Sequence, residues 1–317
     1  MVQEPRPPAF RVLAGTANPV LAGAVARALG VTAGRCRVER YPDGELSVTL
    51  DESVRGREVF LVQPTAPPVN DHLVELVAFA DACRRASAHR VTAVMPYFGY
   101  ARADRREHGR QPIMASAVAQ LLQCAGVDHV ITVDLHTAQI EGFFQVPVDG
   151  LSAVPVICDA LRERLGDVRK TMVVVSPDAG RVPMANEYAQ RLGVPLVVLH
   201  KRRESGTRTS VTHLVGDVRG RTCLLVDDMI ATGGTLVASV RALRAGGADE
   251  SFHVAATHGL FLGDALERLL GAGVREITVT DTVPPPEGGR PEVRVVSMAT
   301  LLADAIRHQL SEGGVEG

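Results

Sequence analysis

The stretch Leu224-Leu225-Val226-Asp227-Asp228-Met229-Ile230-Ala231-Thr232-Gly233-Gly234-Thr235 carries the sharpest chemical signal in the sequence. An apolar run ends in two adjacent carboxylates, and two glycines flanked by threonines follow. Ligands of open α/β sheets sit at the carboxyl ends of strands. Paired acids there can hold sugar hydroxyls, directly or through a divalent metal. Thr232, Gly233, Gly234 and Thr235 offer backbone N–H groups and two hydroxyls where a helix begins, a site for a phosphate monoester. A tight strand-to-helix turn with a hydroxyl cap explains the glycines, but not the two acids before them.

Other stretches point to anions and cations. Arg40-Tyr41-Pro42-Asp43-Gly44-Glu45 is a turn with an aromatic and two acids; taken alone it reads as an ordinary polar turn. Pro96–Arg106 puts Arg102, Arg105 and Arg106 within five residues, beside Tyr97, Phe98 and Tyr100. That cluster is either a solvated charged loop or, at a strand's carboxyl end, a seat for polyphosphate. In Val133-Asp134-Leu135-His136-Thr137, Asp134 and His136 project the same way if the chain stays extended. Oxygen and imidazole donors suit a magnesium–phosphate site, whereas a lone buried histidine is more often structural. Val175-Ser176-Pro177-Asp178-Ala179-Gly180 is a further strand-end acid with a glycine turn. Leu199–Arg208 is a strand running into a basic loop that contains Lys201, Arg202 and Arg203. It is either a solubilising hairpin or a mobile cationic arm closing on polyphosphate.

Such groups must be held by strands and helices, and both are legible. Short, continuous, β-branched runs recur: Val59–Val62, Val91–Met95, His129–Val133, Met172–Val175, Leu196–Leu199, Cys223–Val226, His253–Ala256 and Ile277–Val279. Strands buried on both faces of a parallel sheet have this pattern. Helical periods lie between them. Asn70 caps a segment with Leu73, Leu76, Val77 and Ala80 on one stripe. Leu236, Val237, Val240 and Leu243 form a second, closed by Gly246-Gly247, and Pro112 opens a third through Val118, Leu121 and Leu122. Strand–helix alternation predicts an α/β fold with parallel sheets.

The halves echo one another, and the boundary is expected near Gly150–Val154. Pro284–Gly289 reads as an exposed loop. Leu301–Leu310 reads as a last helix, with a mobile tail after it.

The 317 residues carry 34 Lys plus Arg against 36 Asp plus Glu, so no global charge favours nucleic acid or an anionic membrane. Trp is absent and aromatics are 4%, which disfavours single-strand stacking as the main task. Five scattered cysteines form no C-x-x-C pair and read as buried free thiols in a reducing compartment. The first residues lack the apolar stretch of a signal peptide, and no run approaches a membrane span. A cytoplasmic protein is expected.

The loop at Asp227–Thr235 resembles the ribose-5-phosphate loop of the type I phosphoribosyltransferase fold. All these stretches, in this order, resemble the ribose-phosphate pyrophosphokinase (phosphoribosyl pyrophosphate synthetase) family from about Arg11 to about His308. Phrases such as Glu52-Ser53-Val54-Arg55-Gly56, Gln139-Ile140-Glu141-Gly142-Phe143-Phe144 and Val215-Gly216-Asp217-Val218 match outside the site. The resemblance implies an α/β chain of two tandem doubly wound parallel-sheet domains of that fold. They would span 1–152 (the ATP side) and 153–317 (the ribose loop), with the last helix packing back on the first domain.

It further implies transfer of the β,γ-diphosphoryl group of ATP to the C1 hydroxyl of ribose 5-phosphate, with Mg2+ required. Tyr41 would stack on adenine with Asp43 and Glu45 beside it, supplied from a neighbouring subunit. Arg102, with Asp104 and Arg105, would bind ATP. His136 and Asp178 would serve the phosphate–magnesium groups. Asp227 and Asp228 would hold the ribose hydroxyls, and Thr232, Gly233, Gly234 and Thr235 the 5-phosphate. Lys201 and Arg203 resemble the catalytic pair of a flexible loop. Ser53, Arg55 and Arg110 match positions of an allosteric phosphate site. Self-association is implied, typically a hexamer built from dimers, with no nucleic-acid or membrane partner.

The chain departs from the family pattern at ligand positions. Ala231 stands where an Asp is usual, Ala103 replaces a Gln, and Gln145 replaces an Asp, although Asp149 is kept. Arg181-Val182-Pro183-Met184 follows Gly180 where a second glycine, then Lys and Arg, are usual. Two other readings stay open: a non-catalytic regulatory paralogue of a synthetase assembly, and a phosphoribosyltransferase.

Overall fold

The computed structural model describes residues 10–106, 108–205, 208–286 and 288–312, with the backbone alone for 167–169, 201–205, 208–212 and 312. The chain divides into two units. Unit 1 is Met1–Leu151 with Thr282–Pro284 and Ser297–Gly317; unit 2 is Ser152–Asp281 with Pro285–Val296.

Unit 1 holds β1 (Phe10–Ala14), α1 (Pro19–Ala28), β2 (Cys36–Arg40), β3 (Leu46–Leu50), β4 (Glu58–Val62) and α2 (Val69–Arg85). It continues with β5 (Arg90–Met95), α3 (Met114–Ala125), β6 (His129–Val133) and β7 (Val148–Leu151). Its five-stranded sheet runs β1-β4-β5-β6-β7, parallel throughout. On the far side of β1, Gly34 makes a parallel bridge to Leu13. The chain therefore visits one side of β1, crosses back to β4, and adds strands outward. β2 and β3 form a separate antiparallel hairpin.

Unit 2 holds α4 (Val154–Leu165), β8 (Met172–Ser176), α5 (Val182–Leu192), β9 (Leu196–Ser205), β10 (Arg208–Val215), β11 (Thr222–Ile230) and α6 (Gly234–Ala245). β12 (Phe252–Gly259), α7 (Ala265–Gly271), β13 (Val274–Thr280) and β14 (Val293–Val296) follow. The sheet order is β10-β9-β8-β11-β12-β13-β14, parallel except where β9 meets β10. The winding again reverses, here between β8 and β11. Crevices at such reversals are where open α/β sheets bind ligands.

The last helix, α8 (Ala299–Glu312), lies in unit 1. Arg307 donates to the Ala28 carbonyl, and Gln309 Nε2 donates to Thr92 Oγ1 at 2.8 Å. The tail after it lies outside the described residues.

The short apolar runs form these strands because both faces are covered. All five residues of β6 and of β8 are buried. Unit 1's core gathers Leu61, Leu76, Phe79, Val91, Met95 and Leu122; unit 2's gathers Val175, Leu225, Leu236, Val254, Leu269 and Ile277. Each such side chain contributes about 1.5–3 kcal/mol relative to exposure.

Three local expectations are corrected. Pro68, with no side-chain cap, precedes α2; Asn70 lies in the first turn, where its Oδ1 accepts from the Tyr100 hydroxyl instead. α3 begins after Ile113, whose φ of −101° and ψ of 87° are not helical, so Pro112 precedes the helix rather than opening it. The basic stretch after Leu199 continues as strand backbone to Ser205, because it finds a partner in β10. Among the described residues no helix is long and apolar enough to cross a membrane.

Burial pushes the thiols of Cys83, Cys158 and Cys223 up to about 12, while Cys124 is exposed. The thiolate is the nucleophile. A disulfide reagent applied to the native protein near neutral pH should therefore label Cys124 first and leave those three unmodified until denaturant is added, as read by peptide mass mapping.

Candidate functional site

In unit 2 the β8–β11 ladder runs from Met172 opposite Thr222 to Val175 opposite Leu225. Asp227 and Asp228 therefore stand just past the paired part of β8, at the reversal. Their side chains are 13% and 2% exposed. Burial first, and the Asp228 charge second, push the Asp227 carboxyl well above the usual carboxylate range, and Arg181 pulls it back. Arg181 Nε lies 3.2 Å from Asp227 Oδ1, and Arg181 Nη2 lies 3.2 Å from Asp228 Oδ1. One guanidinium fork thus spans both acids.

The backbone behind that fork is fixed by Asp178. Its Oδ1 accepts from the N–H groups of Gly180 at 3.0 Å and Arg181 at 3.2 Å. Ser176 Oγ donates to the Asp178 carbonyl at 2.7 Å. The Oδ1 of this strand-end acid thus serves the turn that carries Arg181.

The threonine–glycine stretch opens α6. Gly233 is the cap residue, with φ of 70° and ψ of −1°. A Cβ there would sit 3.3 Å from Leu269 Cγ and 3.4 Å from the Ala265 carbonyl, so glycine is required by conformation and by space. Thr232 and Thr235 are exposed at the start of this twelve-residue helix. Arg268 of α7 donates from Nη1 to the Thr232 carbonyl at 3.2 Å, placing a cation beside the loop.

In unit 1 a cavity of about 860 Å³ opens beyond β5, lined among others by Asn70, Tyr97, Tyr100, Arg102, Ala103 and Arg105. Arg102 and Arg105 are exposed. Asp104 between them is buried and accepts at Oδ2 from Thr137 Oγ1 and Gln139 Nε2, both at 2.6 Å. Asp104 therefore ties the arginine loop to the loop that carries His136, which is half-buried. Asp134 takes φ of 39°, so the chain does not stay extended there and Asp134 and His136 do not share a strand face.

The β2–β3 hairpin ends in a tight turn. Gly44 N–H donates to the Tyr41 carbonyl at 2.9 Å, and Asp43 Oδ1 accepts from Glu45 N–H at 3.0 Å. Tyr41 is 49% exposed at this tip, and Asp43 and Glu45 are exposed beside it.

Ser53 and Arg55 follow β3, and the Ser53 hydroxyl accepts from Arg55 N–H at 3.4 Å. Arg110 is exposed in the loop before α3, at φ of 70°. Asp149 is paired with His129 Nε2 at 2.9 Å, whose Nδ1 contacts Arg90 at 2.8 Å. Exposed Gln145 donates its N–H to Gln123 Oε1 at 2.5 Å.

Lys201 and Arg203 have described backbone, opposite Val211 and Thr209, but their side chains lie outside the described residues. Two residues with a bearing on the site carried no sequence signal for it. Arg181 stood out only as a departure from a glycine, and Arg268 is remote in the chain from the loop it meets. Among the described residues no three of His, Cys, Asp or Glu converge as a metal cage.

The comparisons accord with this geometry. A family model for the N-terminal domain of ribose phosphate pyrophosphokinase matches residues 10–126, and one for the phosphoribosyl transferase domain matches residues 151–268. The chain is 46% identical over 300 residues to the ribose-phosphate pyrophosphokinase of Gloeobacter violaceus, covering 94% of this chain and 89% of that protein. It is 48% identical over 302 residues to the ribose-phosphate pyrophosphokinase of Rhodopirellula baltica, covering 94% of each. It is also similar to the crystal structure of phosphoribosylpyrophosphate synthetase from Mycobacterium smegmatis, with a TM-score of 0.89 and 43% identity over 96% of this chain and 99% of that one. The chain belongs to the ribose-phosphate pyrophosphokinase family. Its fold is two type I phosphoribosyltransferase domains.

Gly233→Ala should cost about 1–2 kcal/mol from the left-handed backbone alone and should weaken inorganic phosphate binding. Gly30→Ala, at φ of 74° with open space around it, should lose comparable stability without that effect. Urea denaturation and calorimetric phosphate titration of both variants check this.

Proposed function

We propose that the protein transfers the diphosphoryl group of ATP to the C1 hydroxyl of ribose 5-phosphate, forming 5-phosphoribosyl 1-pyrophosphate and AMP for nucleotide biosynthesis. The observation that carries this reading is the strand-end acid pair Asp227–Asp228 followed by the glycine-capped start of α6. An acid pair suits a vicinal diol, and a helix start suits the 5-phosphate on the same sugar. The family membership fixes the reaction class, and the roles below rest on the resemblance of individual residues.

Asp227 and Asp228 orient the ribose hydroxyls, and Thr232, Gly233, Gly234 and Thr235 cradle the phosphate. Arg102 and Arg105 line the cavity where ATP's phosphates bind, with Asp104 positioning them through Thr137 and Gln139. Tyr41, Asp43 and Glu45 contact adenine of a neighbouring subunit, which suits an exposed aromatic on a hairpin tip and implies self-association, as a hexamer of dimers. Ser53, Arg55 and Arg110 form an allosteric phosphate site.

His136 would help hold a magnesium ion on substrate phosphates and Asp178 would lie near a second one, and the cation would supply charge neutralisation. One or two protein donors with substrate oxygens are the usual way this cation is held, so oxygen-rich strand ends without a cage fit it. The reaction needs two anions brought together in line and a polyanionic leaving group stabilised, with no covalent intermediate. Lys201 and Arg203 supply positive charge as it develops. The working compartment is the cytoplasm.

One observation favours a second reading, a non-catalytic regulatory paralogue: Arg181 sits on the acids that the sugar needs. Phosphorus NMR of the purified protein with ribose 5-phosphate, magnesium and ATP decides between them. Joint appearance of phosphoribosyl pyrophosphate and AMP is expected. ATP left intact, with inorganic phosphate present as well as absent, overturns the catalytic reading. Lys201→Ala should lower kcat about a hundredfold or more while KM changes little, because its contact strengthens in the transition state.

A further inference from the structure

Two carboxylates adjacent in sequence and buried at one strand end repel each other, and the cost of leaving them without a cation is large. A divalent metal bound along with a sugar is one remedy. In this protein a second remedy is already built in. The Arg181 fork reaches one oxygen of each acid, 3.2 Å from both, with its own side chain only 15% exposed. The contact is prepared from behind, because Asp178 caps the N–H of Arg181 itself. Asp227 Oδ1 is further held by the Asp228 N–H at 2.9 Å. A planar fork on two carboxylates is geometry that a guanidinium provides and an ammonium does not.

We propose that Arg181 is the resident counter-ion of the diol-binding acids, a positioning residue that lets Asp227 and Asp228 receive the ribose of ribose 5-phosphate without a divalent cation at that pair. The proposal rests on the reading of this loop as the ribose-phosphate site. Each acid has two oxygens, and the fork addresses Oδ1 of each. The guanidinium therefore orients both carboxylates and cancels part of their charge. The polyphosphate step still needs its own magnesium; the claim concerns only the sugar end.

The test is ribose 5-phosphate binding measured by calorimetry on the full chain, in chelator and in magnesium, for the native protein, Arg181→Gln and Arg181→Lys. The native protein should bind equally, within about twofold, in both media. Arg181→Gln should bind about thirtyfold or more weakly in chelator, the range seen when one partner of a buried charge pair is removed, and should recover when magnesium is added. Arg181→Lys keeps the charge without the fork and should fall between them. A merely structural role would lower affinity alike in both media.

Magnesium dependence of the native protein as steep as that of Arg181→Gln overturns the proposal, as does Arg181→Gln binding normally in chelator. If Arg181→Gln fails to fold by circular dichroism, the native protein's own response to chelator still decides. Absence of binding by the native protein in both media removes the ribose-site reading and this proposal with it. Binding that strictly requires magnesium removes this proposal alone.

Discussion

Two like charges placed side by side in a buried strand end would drive the chain apart unless something nearby were positive. In unit 2 that requirement organises the reversal between β8 and β11. The parallel register ends with Val175 opposite Leu225, so that Asp227 and Asp228 stand just past the end of β8. The turn after β8 is then pinned by Ser176 and Asp178, so that Arg181 arrives over both acids. β11 itself can run deep into the unit because its other residues are buried and, apart from Thr222, apolar. The apolar core thus holds the acids where water cannot screen them, and the guanidinium compensates for what the core imposes.

The same winding in unit 1 has a different outcome. The loop after β1 is occupied by the protein's own side chains. Glu75 of α2, with its side chain fully buried, accepts from the Thr16 N–H at 2.7 Å and the Thr16 hydroxyl at 2.5 Å. Gln63, at the end of β4, accepts from Ala17 N–H at 3.1 Å and packs so closely that a Cβ on Gly15 would lie 2.1 Å from its oxygen. Donors that might receive an anion are already satisfied from within. The open chemistry of unit 1 lies instead in the cavity beyond β5, where the arginine loop is anchored by a buried acid. One topology thus yields two different sites, and the difference lies in a few strand-end residues.

Much of this was legible in the sequence because it depends on local chemistry. Continuous β-branched runs report burial on both faces, so the parallel strands were placed well. Gly233 and Gly234 announced a tight strand-to-helix turn, and Asp227-Asp228 announced a cation or a diol. What escaped depends on contacts between residues distant in sequence. Arg181 is forty-six residues before the first acid it touches, and only the register of β8 against β11 brings them together. Arg268 reaches its loop from a separate helix. Asp104 read as a ligand in a charged loop, yet its Oδ2 accepts from Thr137 and Gln139, because a carboxylate between two arginines can still be buried when hydroxyl and amide donors meet it. Asn70 looked like a cap by type, but the Tyr100 hydroxyl engages its side chain.

The departures from the family pattern also become intelligible as a set. At the ribose loop the chain has alanine at 231 where an acid is usual, and arginine at 181 where a second glycine is usual. The first removes a negative group and the second adds a positive one. Both move the local charge in the same direction, away from a surface that must recruit divalent cations. The backbone N–H groups and hydroxyls of the phosphate loop need no such adjustment, since a helix start attracts an anion whatever the acids nearby do. The chain thus keeps the glycine-capped start of α6 unchanged and places a guanidinium, folded into the chain, on the acid pair beside it.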